Sequence, residues 1–139
     1  MNVSRIREGF KQHYPTRIVT VDSHTAGEGT RLIVDGIDPV PGETMADKRI
    51  YYQAHLDHIR LLLTREPRSG EGLLAAHLTE PTSPDGDFGL IYMDARRYPY
   101  LCGHATIGAA TTLIETGVLA AKEPEMILKV DTPSGPMSA

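Results

Sequence analysis

Between Phe88 and Gly117 the chain passes from an apolar β-type segment through a polar loop into a stretch of small residues with few helix breakers, and that order constrains the fold most. Phe88 to Met93 reads as a buried strand, and Asp94 to Tyr100 carries the polar, aromatic and proline residues of a loop. Ala105 to Thr116 predicts a helix, and Gly117 after it suits the left-handed conformation of a C-terminal cap. At the junction stands Leu101-Cys102-Gly103-His104, which holds the only cysteine of the 139 residues. The first N–H groups of a helix lack internal partners and its dipole is positive there, so a thiolate or a ligand carboxylate is stabilised at that end. Cysteine in that position commonly has a lowered pKa, and the expectation for Cys102 is a reactive thiol rather than an inert buried one. Gly103 lets a ligand approach the backbone closely. His104 can exchange a proton near neutral pH.

The rest of the chain predicts short strands alternating with two helices, an α/β (α+β) fold. Arg17 to Val21 and Thr30 to Val34 read as two strands joined by a long polar connection, Asp22 to Gly29. Gly36 to Glu43 holds two prolines and two glycines and reads as a loop. Thr44 with Asp47 resembles a capping box, and Met45 to Arg65 contains neither proline nor glycine, so the spacing predicts one helix. Its apolar stripe is Ile50, Ala54, Ile59, Leu62 and Leu63. Glu66-Pro67-Arg68-Ser69-Gly70 ends it. Leu73 to Leu78 pairs with Phe88 to Met93. Met126 to Val130 is a further strand, followed by turn chemistry at Asp131-Thr132-Pro133-Ser134-Gly135. Only Pro136 to Ala139 remains to pair back, which reads either as a disordered tail or as a chain cut within a domain.

Composition narrows the function. A net charge of −4 with interspersed signs supplies no basic stripe for nucleic acid. No apolar run approaches the ~18 residues of a membrane span, and the first fourteen residues lack the apolar core of a secretory signal. A single cysteine fits a reducing compartment, and the expected location is cytoplasmic. No cofactor or metal site is expected: His55 and His58 with Asp57 between them are too few for a metal.

Two further groups of residues carry potential chemistry. Asp22-Ser23-His24 gathers an acid, a hydroxyl and an imidazole, but sequence neighbours point apart, and hydrogen bonding within the turn is the expected role. Tyr98 and Tyr100 stand near the thiol, either lining a pocket or packing. A Cys-His hydrolase is disfavoured because no third group is placed to orient His104.

Four ordered blocks, Val21 to Arg31 (Val-Asp-Ser-His-Thr-Ala-Gly-Glu-Gly-Thr-Arg), Glu66-Pro67-Arg68, Asp87 to Asp94 (Asp-Phe-Gly-Leu-Ile-Tyr-Met-Asp) and Cys102 to Gly108 (Cys-Gly-His-Ala-Thr-Ile-Gly), resemble the proline racemase family. That family also includes hydroxyproline epimerases and hydroxyproline dehydratases. The resemblance runs from about Arg17 to the last residue, and Thr132-Pro133-Ser134-Gly135 belongs to it. It implies residues 1–15 as an N-terminal extension, 16–139 as a truncated first domain, and an absent second domain. The implied fold is that of diaminopimelate epimerase, a mostly antiparallel sheet wrapped around a central helix, incomplete in this chain. The implied reaction needs no cofactor. One cysteine thiolate removes the α-proton of proline or hydroxyproline, and a second cysteine, as thiol, returns a proton on the other face.

By this resemblance Cys102 is the first of the two cysteines, and the backbone amides of Gly103 and His104 hold the substrate carboxylate. Leu74 sits where proline-specific members carry an aromatic contact to the ring. The implied partners are a small amino-acid substrate and, in the full-length family, a second copy forming a homodimer, with neither nucleic acid nor membrane. Two departures stand out. Ser69-Gly70-Glu71-Gly72 replaces Gly-His-x-Asp, and Ala95-Arg96-Arg97 replaces a glycine-rich run, placing two cations near the thiol with solvation as their expected state. The second cysteine is absent from this sequence, so this polypeptide alone is expected not to racemise at a family-like rate. The alternatives are a hydroxyproline dehydratase or an inactive fragment that still binds amino acid. With one half missing, weak folding or self-association is expected.

Overall fold

The structure is a computed structural model that describes residues 3–70 and 72–139. Met1 and Asn2 of the expected extension, and Glu71 of the Ser69 to Gly72 departure, lie outside the described residues. The chain forms α1 (Val3–His13), β1 (Val19–Thr25), β2 (Glu28–Asp35), α2 (Met45–His55), α3 (Asp57–Thr64), β3 (Leu74–Thr79), β4 (Phe88–Met93), α4 (Gly103–Glu115), β5 (Lys129–Thr132) and β6 (Gly135–Ser138).

The six strands form one sheet in sequence order, β1 to β6. Sequential hairpins β1/β2, β3/β4 and β5/β6 are antiparallel, and the hairpins join each other through parallel pairs. The parallel joins need crossovers, which α2 and α3 supply between β2 and β3 and α4 supplies between β4 and β5. Each sheet face is covered, so β4 reads as a continuous apolar run and is buried at all six positions. On one face Ala105, Ala109 and Leu113 of α4 pack with Leu32, Leu74, Ala76, Leu90, Tyr92 and Val130. On the other face α2 and α3 put Met45, Tyr52, Ile59 and Leu63 against Ile33, Ala75, Ile91 and Met93. The sheet therefore wraps α4 on one side and carries a two-helix layer on the other.

Several expectations are corrected. The expected long connection Asp22 to Gly29 is a two-residue turn: Thr25 pairs with Glu28, and Ala26 and Gly27 adopt φ of 50° and 93°. Two consecutive positive φ values match the right-handed twist of a hairpin, which draws Asp22 to Thr25 into β1. There are four helices among the described residues, not two. The expected single helix from Met45 to Arg65 breaks at Leu56, whose ψ of 14° leaves the helical range. Ile50 and Ala54 of the expected stripe are exposed; α2 instead buries Met45, Lys48 and Tyr52. Lys48 reaches this face because its stem packs on apolar surface while its amine donates to the Glu80 carbonyl at 2.9 Å.

Other local readings hold. Thr44 caps α2 with both halves of the capping box present. Gly117 sits at φ 77° just past α4. Gly36, at φ 92°, also marks a close approach, since a Cβ there would lie 1.8 Å from the Arg17 carbonyl oxygen. No helix among the described residues is long and apolar enough to cross a membrane.

Candidate active site

Cys102 is the N-cap of α4, in extended conformation at φ −149° and ψ 112°. Its carbonyl accepts from the backbone N–H of Thr106 at 3.0 Å and from the Thr106 hydroxyl at 2.8 Å. Because that hydroxyl proton is used, Tyr92, whose oxygen lies 2.6 Å from Thr106 Oγ1, is the donor of the next bond in the chain. Strand β4 thereby anchors the start of α4 from beneath. The hairpin anchors it from the side: Thr25 of β1 donates to the His104 carbonyl at 3.0 Å.

The thiol is half-buried. Its sulfur lies 3.3 Å from His104 Nδ1, and the backbone N–H groups of Ala105 and His104 act on it. Burial nevertheless dominates and pushes the Cys102 thiol above its ordinary value, with the Glu28 carboxylate adding to the rise. This corrects the expected lowering. The helix-end donors are present, but loss of water around the sulfur outweighs them, so the neutral thiol is the resting form at pH 7.

Gly103 is exposed, and a Cβ there would meet nothing within 4 Å. Among the described residues none requires glycine at that position. A cleft of about 600 Å³ opens beside it, lined by Leu73, Leu74, Asp94, Arg96, Arg97 and His104 among others. The structure thus brings His104 and Leu74 to one cleft, while Cys102, two residues before His104, is not among its lining residues. Leu74 is buried at 8% exposure on β3. Arg96 and Arg97 are exposed, as expected for solvated cations, yet they line the same cleft. Their backbone N–H groups donate to Asp94 Oδ1 at 2.7 and 2.8 Å, which fixes the loop between β4 and the thiol.

The remaining candidates fall elsewhere. Asp22, Ser23 and His24 alternate along β1 and cannot form a triad: Asp22 pairs with Arg31 at 2.7 Å and His24 Nδ1 accepts from the Gly27 N–H at 3.2 Å. The break at Leu56 places His55 and His58 on different helices, and His55 stacks on Tyr51. Tyr98 packs rather than lining the cleft. It is 3% exposed and donates to Asp57 at 2.9 Å, because the loop after β4 folds back over α3. Tyr100 is exposed beneath the Arg49 guanidinium. Among the described residues no side chain other than Cys102 hydrogen-bonds the His104 ring, so a hydrolase triad has no orienting group.

Sequence reasoning missed the supports of the site, Thr25, Tyr92 and Thr106. Thr106 carried a faint signal, a hydroxyl four residues after an N-cap. Tyr92 carried none, since its hydroxyl meets Thr106 only once β4 lies under α4.

The fold matches that of a solved hydroxyproline epimerase from Agrobacterium vitis, crystallised with trans-4-hydroxy-L-proline, with a TM-score of 0.82 at 23% identity, covering 90% of this chain and 37% of that one. This defines the class: a diaminopimelate-epimerase-like α+β protein. The sequence narrows it further. Residues 20–139 match the model of the proline racemase family, and the chain belongs to that family. A 4-hydroxyproline 2-epimerase of Streptosporangium roseum is 45% identical over 115 residues, which are 83% of this chain and 34% of the relative. A trans-3-hydroxy-L-proline dehydratase of Burkholderia cenocepacia is 38% identical over 116 residues, 84% of this chain and 35% of the relative. The chain spans about a third of the length of these curated relatives.

Proposed function

We propose that this chain is the N-terminal part of a cofactor-independent racemase or epimerase that acts at the α-carbon of proline or a hydroxyproline. The observation that carries this reading is the seat of Cys102 at the start of α4, with amide N–H groups and His104 around its sulfur and Leu74 on the adjoining cleft. In this reading the Cys102 thiolate takes the α-proton and becomes a thiol. The electron pair left on carbon delocalises into the substrate carboxylate, where the amides of Gly103 and His104 stabilise it at the positive end of the helix. Leu74 forms the apolar wall for the ring. The full-length enzyme supplies a second acid that returns a proton on the opposite face. It works as a cytoplasmic homodimer on a small amino acid, without nucleic acid or membrane.

The first half of the reaction is measurable without the second. The 139-residue chain, incubated in D₂O with proline or trans-4-hydroxyproline, is expected to exchange the α-proton with retention and without inversion. Cys102→Ser lowers that exchange by about 10²-fold or more, the scale of losing a general base. Exchange that survives Cys102→Ser, or inversion at a family-like rate by this chain alone, overturns the reading. Because burial raises the thiol, the exchange rate climbs about tenfold per pH unit from pH 7 into the alkaline range, until the thiol is ionised. A flat profile from pH 7 to 9 contradicts a thiolate base.

A second reading is favoured by the similarity to the Burkholderia dehydratase. There the same α-proton removal is followed by loss of a 3-hydroxyl as water, with no proton returned from the opposite face. Trans-3-hydroxy-L-proline, and not the 4-hydroxy isomer, would then be consumed by the full-length protein.

A further inference from the structure

On the sheet face opposite α4, where the edge strand β1 meets the end of α3 and the segment after it, lies a second cleft of about 480 Å³. It is lined by Thr16, Arg17, Ile18 and Thr20 around the start of β1, by Leu62 and Leu63 of α3, and by Arg31 and Arg68. Ile18 and Leu63 belong to the core that α2 and α3 share, away from the α4 core and from Cys102.

The three guanidinium groups differ in what they have left to bind. Arg31 is engaged: its Nε and Nη2 donate to the two oxygens of Asp22 at 2.7 to 3.2 Å, and its Nη1 donates to the carbonyls of Leu63 and Arg68 at 3.0 and 3.1 Å. It acts as a fixed brace. Arg17 and Arg68 are exposed, and among the described residues neither side chain has a hydrogen-bond or ion-pair partner. No described carboxylate lines the cleft. A chain of net charge −4 therefore carries a cleft in which two cations without a partner among the described residues stand with two threonines and three aliphatic side chains.

We propose that this cleft is a binding site for a small organic phosphate, separate from the Cys102 site. Guanidinium groups pair with oxyanions through parallel N–H donors, and two of them match the charge of a phosphate dianion. A phosphate monoester also presents three terminal oxygens, enough to meet both guanidiniums and a threonine hydroxyl, whereas a carboxylate presents two. Ile18, Leu62 and Leu63 receive the hydrocarbon body of the ester.

Calorimetric titration of the full chain with phenyl phosphate, inorganic phosphate and benzoate tests this. Phenyl phosphate is expected to bind saturably and about tenfold or more tighter than benzoate, and inorganic phosphate to compete with it. The double variant Arg17→Ala, Arg68→Ala loses about tenfold or more in affinity with an unchanged thermal melt, since neither side chain supports the fold. Backbone amide shifts on titration fall at residues 16–20 and 62–68. Absence of saturation up to about 10 mM, equal affinity for benzoate, unchanged binding in the double variant, or shifts centred on His104 and Arg96 instead would each overturn the proposal.

Discussion

Asp131 is a carboxylate only 2% exposed, and the chain satisfies it fully. The N–H groups of Thr82 and Ser83 donate to Oδ2 at 2.7 and 2.6 Å, and the Ser83 hydroxyl donates to Oδ1 at 2.7 Å. Burial alone would raise this carboxyl, but the Ser83 and Thr82 donors outweigh it and hold it below the usual range. Asp131→Ala leaves those half-buried donors without their partner and is expected to cost about 3 kcal/mol in urea denaturation. A cost below about 1 kcal/mol would mean that water replaces the carboxylate. His77 behaves oppositely. Burial first, then the nearby Lys48 charge, lowers it to about 4, and its Nδ1 has no partner. Its folded pKa lies below the unfolded one, so its contribution is complete above the unfolded value and is lost as pH falls from 6.5 toward 4. Stability is expected to drop by about 2 kcal/mol between pH 7 and pH 5. In His77→Leu that drop disappears. Neither residue was legible in the sequence: Asp131 sits in turn-like company and His77 in a plain apolar run, and each becomes unusual only when distant segments close over it.

At the scale of elements, local chemistry was readable where the interactions are local. The Thr44 and Asp47 capping box, the limits of β4 and the C-terminal glycine of α4 involve residues within a few positions of each other. Thr44→Ala removes the cap donor-acceptor pair and is expected to cost about 1 kcal/mol, with the loss confined to amide-exchange protection in the first turn of α2. Equal loss across the sheet would place Thr44 in the global core instead. The break at Leu56 was not readable, because no proline or glycine marks it. Asp57 starts α3 and is held by the Arg60 guanidinium at 2.7 Å and by Tyr98, an element distant in sequence. The stripe through Ile50 and Ala54 failed for the same reason: with the helix divided, α2 turns a different face to the sheet than an unbroken helix would.

At the scale of the molecule, the start of α4 is buried beneath, at Tyr92, Ala105 and Thr106, and open above. Tyr100, Leu101 and Ile107 stand 55%, 47% and 52% exposed around an unobstructed Gly103. An apolar surface of this kind favours association, and sedimentation of the chain is expected to show concentration-dependent self-association that Ile107→Lys weakens. A strictly monomeric chain at all concentrations would contradict this. By itself the sequence determined the family, the position of the thiol at a helix start and the elements whose signals are local, because periodicity, capping and motif order are written along the chain. Only the tertiary structure decided that the thiol is raised rather than lowered, that His104, Leu74 and two arginines share one cleft, and that Tyr92 and Thr25 hold the helix end. Each of these depends on burial and on contacts between segments far apart in sequence, and desolvation of a sulfur is a property of everything packed around it.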